Sequence, residues 1–172
     1  MFTVEEHWFR NLDQELITLI KELQKDTTFN KNWPNFKIVS AWRPNKTKDK
    51  PDWYIEKGRQ SQEELWNQKN KPYQVAKFSA HNVNPACAFD FDSGSGRSNH
   101  AACWADISKI AKSKNIKTTS TYPKGDPVHV QLSKYSRGSV SSSTLAALSS
   151  FDDVDKLVVE LKKSITVTAT TP

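Results

Sequence analysis

Cysteine is scarce in this chain of 172 residues, and its scarcity limits what can hold the fold together. The only two cysteines, Cys87 and Cys103, can form at most one intramolecular bridge, and the sequence contains no CxxC pattern. A disulfide framework of the kind found in small secreted domains is therefore excluded.

Long apolar runs are also missing from the start of the chain. The first residues, "MFTVEEHWFRNLDQELITLIKELQKD", carry early acidic side chains and no uninterrupted apolar stretch. A secretory signal or a membrane span requires such a stretch. We therefore expect no signal peptide and no transmembrane segment, and a protein that is made in the cytoplasm and at first stays there.

Aromatic residues and positive charge are plentiful by contrast. Six Trp, eight Phe and four Tyr supply large side chains for a core, and the length suits one domain. The net charge of +6 is concentrated partly in loops such as "PNKTKDKP". A basic surface of this kind favours polyanions: nucleic acid, phosphorylated envelope polymers or acidic membranes.

The order of apolar and polar residues predicts an α+β fold with a small antiparallel sheet and flanking helices. A capping box formed by Thr3 and Glu6 and apolar residues at helical spacing predict a first helix over residues 4–25. "NFKIVSAWR" is typical of a strand that ends at Pro44, and "DWYIEKGRQSQEELWNQKN" of a helix broken at Gly58 and followed by a second helical stretch or a loop.

The second half of the chain continues this alternation. It predicts a strand over residues 86–91, a helix over 101–116, and a pair of strands in "TTSTYP" and "PVHVQLS". Residues 136–172 contain a serine-rich connector and an amphipathic helix over about 152–164. We expect residues 1–135 to form the functional domain and the last helix to dock on it.

The stretch "SAHNVNPACAFDFD" places costly polar groups around a buried strand. Strand alternation puts Asp90 and Asp92 on one face and the aromatic residues on the core face. A buried carboxylate needs a partner or a metal ion. His81 precedes this strand closely, and His129 lies in a second apolar strand, "PVHVQL".

Two histidines and one carboxylate, with a fourth position left to water, are the ligand count of a catalytic zinc ion. Zn²⁺ lowers the pKa of a bound water, and a nearby carboxylate then accepts its proton. Asp126, three residues before His129, is placed to be that general base.

These residues follow the pattern of a known family. The chain contains Ser79-Ala80-His81, Ala88-Phe89-Asp90 and Asp126-Pro127-Val128-His129. It thereby resembles the zinc DD-peptidases, whose pattern is S-x-H, then A-x-D, then an acid-x-x-H, over roughly residues 38–132. The resemblance implies a hedgehog-like DD-peptidase fold and zinc ligands His81, Asp90 and His129.

The resemblance also implies roles for further residues. In "SAWRP", Arg43 takes the place of the family's arginine and would steady the substrate carbonyl and the oxyanion, with Ser79 as a substrate-side or supporting hydrogen-bonding group. Two departures concern the site itself. "NVNPAC" lengthens the gap between histidine and aspartate, which makes Asp92 a rival to Asp90, and Lys50 stands where the family often has a glutamine.

Two functions of different classes follow. The first is a zinc peptidase that cuts peptidoglycan stem peptides: a monomeric phage or prophage endolysin with L-alanyl-D-glutamate endopeptidase activity, or alternatively a D-Ala-D-Ala carboxypeptidase. It would bind the anionic cell envelope through its positive charge after release from the cytoplasm, and no nucleic acid is expected as partner. The second is a noncatalytic basic module for envelope polymer or nucleic acid, favoured by the lysines and aromatics of "PNKTKDKPDWYIEKGR".

Overall fold

The described residues form a small antiparallel sheet and several helices, so the predicted α+β class is correct. The computed structural model describes residues 1–68, 79–119 and 128–135. The strands are β1 (Lys37–Ser40), β2 (Ala88–Asp92) and β3 (His129–Gln131). They lie in the order β1-β2-β3, which makes β2 the central strand.

The central strand alternates as the sequence predicts. Phe89 and Phe91 are buried, whereas Asp90 and Asp92 are partly exposed on the other face. Phe91 stacks on Phe36 with the ring centroids 5.5 Å apart, and Phe36 in turn meets the ring of Phe2 at 4.8 Å. One face of the strand therefore packs in the aromatic core, and the other face carries the two carboxylates.

The first helix is shorter than predicted. Residues Glu6–Phe9 form a separate 3₁₀ turn, and α1 runs from Gln14 to Lys25 with Asp13 as its N-cap. The capping box of Thr3 and Glu6 was therefore a wrong prediction. Asn11 takes a left-handed φ of 56°, and its carbonyl accepts a hydrogen bond from the backbone N–H of Ala86, contacts that a continuous helix could not make.

Helix α1 buries one complete apolar face. The residues of that face are fully inaccessible to solvent: Leu16, Leu19, Ile20 and Leu23. The helix contacts α2 (Thr27–Asn32) and α5 (His100–Ser113). The α5 helix confirms the one predicted over 101–116, and its buried Cys103 and Ile107 face the core.

The connection from residue 43 onward contains two short helices, α3 (Asp52–Glu56) and α4 (Gln62–Asn67). Gly58, with a φ of 66°, separates them as predicted. The described residues divide into two compact units: 1–42 with 84–119 and 128–135, and 43–68 with 79–83. The predicted domain over residues 1–135 stays a prediction.

Several predictions fall outside the described residues. They concern Asp126, most of the "TTSTYP" strand, and the connector and helix of residues 136–172. Of the "TTSTYP" strand, Thr118 forms an antiparallel bridge with Leu132 and Thr119 donates its N–H to the Gln131 carbonyl, as the predicted strand pairing requires. Among the described residues, no helix has the length and apolar character needed to cross a membrane.

Candidate metal centre

Asp90 and His129 face each other across two neighbouring strands. They are direct partners in the antiparallel register of β2 and β3. Asp90 Oδ1 lies 3.1 Å from His129 Nδ1, and the two side chains are 18% and 8% exposed. Because cross-strand partners share a face of the sheet, the pairing follows from the backbone register and does not require unusual side-chain conformations.

The main chain and ring of His129 are held from two further directions. Trp104 of α5 donates its indole N–H to the His129 carbonyl over 3.0 Å. On the ring, Nε2 lies 2.9 Å from the Gln131 side-chain oxygen. The imidazole is therefore fixed at both of its nitrogens.

His81 lies in a tight turn that begins at Ser79. The Ser79 hydroxyl accepts the backbone N–H of His81 over 3.3 Å, and the Asn82 side chain accepts the N–H of Ser79 over 2.7 Å. The His81 carbonyl accepts the N–H of Arg43 over 2.9 Å. The Ser79 hydroxyl therefore stabilises the turn that contains His81, and its predicted roles towards the metal ligands and the substrate stay predictions.

The three predicted ligands come together. His81, Asp90 and His129 each offer one ligand atom, and these atoms lie within 4.8 Å of one another. Measured over the whole residue, 2% of the surface of His81 and 6% of that of His129 are accessible to solvent. This buried group could hold a metal ion.

The donor set fits zinc. Two imidazoles and a carboxylate are ligands that Zn²⁺ takes in catalytic sites, with bonds of roughly 2.0–2.2 Å. In a tetrahedral arrangement such bonds separate neighbouring ligand atoms by about 3.4 Å. The 3.1 Å between Asp90 Oδ1 and His129 Nδ1, which is also a hydrogen-bond distance, is close to that separation, whereas the whole group spans up to 4.8 Å.

The rival acid Asp92 lies outside this group, as do two further residues of a metal-binding type, His100 and Cys103. The Asp92 carboxylate accepts the backbone N–H of Gly94 over 2.8 Å and closes a turn there, where Gly94 has a φ of 75°. His100 Nδ1 lies 2.9 Å from the Ser93 hydroxyl. Burial, with the charge of Asp106 adding to it, raises the pKa of the Cys103 thiol to about 12, which disfavours a metal-binding thiolate.

Arg43 is supported by a glutamine that sequence reasoning missed. Its guanidinium donates to the side-chain oxygen of Gln62 over 2.8 Å, and Asn82 donates to the Arg43 carbonyl over 3.0 Å. Gln62 is 2% exposed. Lys50, which occupies the place where the family resemblance predicted a glutamine, instead contacts Glu64 at 2.6 Å.

Neither of two glutamines was predicted: Gln131, which contacts the candidate ligand His129, and Gln62, which contacts Arg43. Gln131 could have been found, because strand alternation puts it on the same face as His129, two residues away. Gln62 could not, because 19 residues separate it from Arg43 and only the tertiary fold joins them.

A comparison of the chain with protein-family models finds no match, and no curated protein matches it. The resemblance to zinc DD-peptidases therefore rests on the residues named above.

Proposed function

We propose that this protein is a zinc-dependent peptidase that hydrolyses peptidoglycan stem peptides, and that it acts as a phage or prophage endolysin on the bond between L-Ala and D-Glu. The group of His81, Asp90 and His129, with ligand atoms within 4.8 Å, is the observation that carries the proposal. It supports zinc binding by the residues that match the family pattern. Histidines and carboxylates with unrelated roles would have no reason to lie this close together, whereas the ligands of one metal ion must.

In this proposal His81, Asp90 and His129 hold the metal ion. Zinc bound by these residues would polarise the scissile carbonyl and would make water a stronger nucleophile at neutral pH. Asp126 is proposed to accept the proton of the attacking water and to pass it to the leaving amine. Among the three ligands only the Asp90 carboxylate is charged. A bound Zn²⁺ would therefore keep a net positive charge, which would attract the carbonyl oxygen of the substrate.

Arg43 is proposed to stabilise the negative charge that develops on the carbonyl oxygen. A guanidinium held in place needs little reorganisation during the reaction, so its interaction strengthens as charge develops. The hydrogen bond from Arg43 to Gln62 and the backbone contact between Arg43 and His81 support this role. The net charge of +6 supports binding to an anionic envelope.

The test combines metal analysis with product analysis on purified peptidoglycan. We expect the native protein to bind about one zinc ion per chain, as a catalytic site of this ligand count does. It should release new amino-terminal D-Glu, detected by labelling of free amines, hydrolysis and chromatography. The Asp126→Asn variant should keep its zinc and lose hydrolysis, and Arg43→Ala should keep zinc and hydrolyse more slowly.

The products distinguish the proposed reaction from its alternatives. Free D-Ala without new amino-terminal D-Glu would indicate a carboxypeptidase. A native protein that binds no zinc and releases neither product would overturn the peptidase proposal and leave a basic binding module. Retention of full activity by Asp126→Asn would remove that residue from the mechanism.

A further inference from the structure

Four residues share the polar face where β2 and β3 meet. Asp90 is paired with His129, and Ala88 is paired with Gln131, so alternation places all four side chains on one side of the two strands. Ala88 is fully buried and carries only a methyl group. The Gln131 amide therefore finds no polar partner directly across from it and extends along its own strand to His129.

The contact between Gln131 and His129 determines which ring nitrogen is available. Gln131 Oε1 lies 2.9 Å from His129 Nε2. The contacting atom of Gln131 is its amide oxygen, which can only accept a hydrogen bond, so Nε2 carries the hydrogen in this arrangement. A neutral imidazole has one N–H, which leaves a lone pair on Nδ1, the atom that lies 3.1 Å from Asp90 Oδ1.

We propose that Gln131 is a positioning residue that selects Nδ1 of His129 as the metal ligand. This inference rests on the proposed zinc centre and adds how that centre is assembled. Ligating histidines commonly donate their second N–H to a carboxylate, a carbonyl or water, and this contact fixes the ring and raises its basicity. Here a glutamine two residues along the same strand provides that acceptor.

The competing arrangement needs no metal. A ring that donates from both nitrogens, to Asp90 on one side and Gln131 on the other, would satisfy the same two distances. The two arrangements differ in an observable way. With zinc bound as proposed, Nδ1 coordinates the metal and only Nε2 carries a hydrogen.

The experiment uses the full chain with Gln131→Met, Gln131→Glu and the control Gln68→Met, an exposed glutamine at the end of α4. Zinc affinity is measured by competition with a chromophoric chelator. Gln131→Met should lower the affinity roughly 10- to 100-fold, the usual effect of losing a supporting partner of a ligand. Gln131→Glu keeps an acceptor at that position and should restore the affinity, and Gln68→Met should match the native protein.

Nitrogen-15 NMR of the imidazoles gives a readout that does not depend on activity or on the stability of the variants. The chain has four histidines, so the ring signals can be distinguished. In the zinc-loaded native protein we expect His129 to coordinate through Nδ1 and to show an Nε2 proton that exchanges slowly with solvent. In Gln131→Met that proton should exchange faster.

Coordination through Nε2, or an unchanged zinc affinity in Gln131→Met, would overturn the role of Gln131 while leaving the peptidase proposal intact. Failure of the native protein to bind zinc would instead overturn the metal centre, and with it this role. If the native protein binds zinc and cleaves peptidoglycan, but His129 coordinates through Nε2 or Gln131→Met keeps the native zinc affinity, the peptidase proposal stands and the role of Gln131 does not.

Discussion

At the scale of single residues, the two aspartates of "AFDFD" lie on the same face of the strand but have different partners. Asp90 lies on the central strand between Ser40 of β1 and His129 of β3, its direct partners. Asp92 lies at the end of the strand and closes the turn at Gly94. A Cβ on Gly94 would collide with the backbone oxygen of Asn35, so this turn requires glycine.

This difference leads to a prediction about zinc binding. Asp90→Asn replaces the charged ligand by a weaker neutral one. Loss of a residue that only supports a ligand lowers metal affinity by at most roughly 100-fold, so the zinc affinity of Asp90→Asn should fall by more than that. Asp92→Asn changes the same atoms two residues away and should bind zinc as the native protein does. Both affinities can be measured by chelator competition at constant pH. Equal losses in the two variants would show that the ligand has been misassigned.

At the scale of secondary-structure elements, the helix α4 begins with a capping box that the sequence analysis did not predict. The Ser61 hydroxyl accepts the N–H of Glu64 over 3.1 Å, three residues into the helix. The Glu64 carboxylate lies 2.6 Å from the Lys50 ammonium. Serine followed three residues later by glutamate is a helix-start pattern, so the sequence did contain this information.

The surroundings of Glu64 make the stability of the fold depend on pH. Burial by itself would raise the pKa of Glu64, but the hydrogen bond and charge of Lys50, together with Ser61, lower it overall. Because the folded pKa lies below the unfolded value of about 4.3, the stabilisation by Glu64 is complete above that pH. It is lost as the pH falls through the folded pKa.

We therefore expect Glu64→Gln to lower the free energy of unfolding near neutral pH and to have a smaller effect in acid. Urea unfolding of the native protein and the variant between pH 7 and pH 3 measures the difference. Glu56→Gln, at an exposed glutamate ending α3, is the matched control and should change little. A difference between native and Glu64→Gln that stays constant down to pH 3 would contradict this account.

At the scale of the whole molecule, zinc would link distant parts of the chain. His81 and His129 are 48 positions apart in the sequence, and Asp90 lies between them. An ion that binds these three ligands in the folded state finds no such preformed site in the unfolded chain. Zinc binding should therefore stabilise the fold.

The size of this stabilisation can be predicted from mass action. At a free zinc concentration 100 times the dissociation constant, the free energy of unfolding should rise by about 2.7 kcal/mol. Urea unfolding in zinc-buffered and chelator-treated solutions measures it, with magnesium as the control ion. The increase should be absent in Asp90→Asn. Equal unfolding midpoints of the native protein with and without zinc, at concentrations where zinc is bound, would be inconsistent with a centre formed only on folding.

The sequence was a good guide where local periodicity decides structure. Alternation in "AFDFD" correctly assigned the aromatic and carboxylate faces, and Gly58 correctly marked the break after a first short helix, because both depend on backbone geometry over a few residues. The start of the first helix was predicted wrongly, since its boundary depends on backbone hydrogen bonds between residues 11–13 and Ala86. Such long-range contacts leave no periodic trace in the sequence.

By itself, the sequence determined the class of fold and the two faces of β2, because residue type and spacing carry that information. The family resemblance added three candidate ligands and left Asp92 as a rival to Asp90. Only the tertiary structure decided that the ligand atoms of His81, Asp90 and His129 meet within 4.8 Å. It alone also joined Arg43 to Gln62, and it turned Asp92 towards Gly94. Strand register and the turns of the chain set these distances. Register and turns depend in turn on contacts between distant segments, and the residue order within one segment does not specify such contacts.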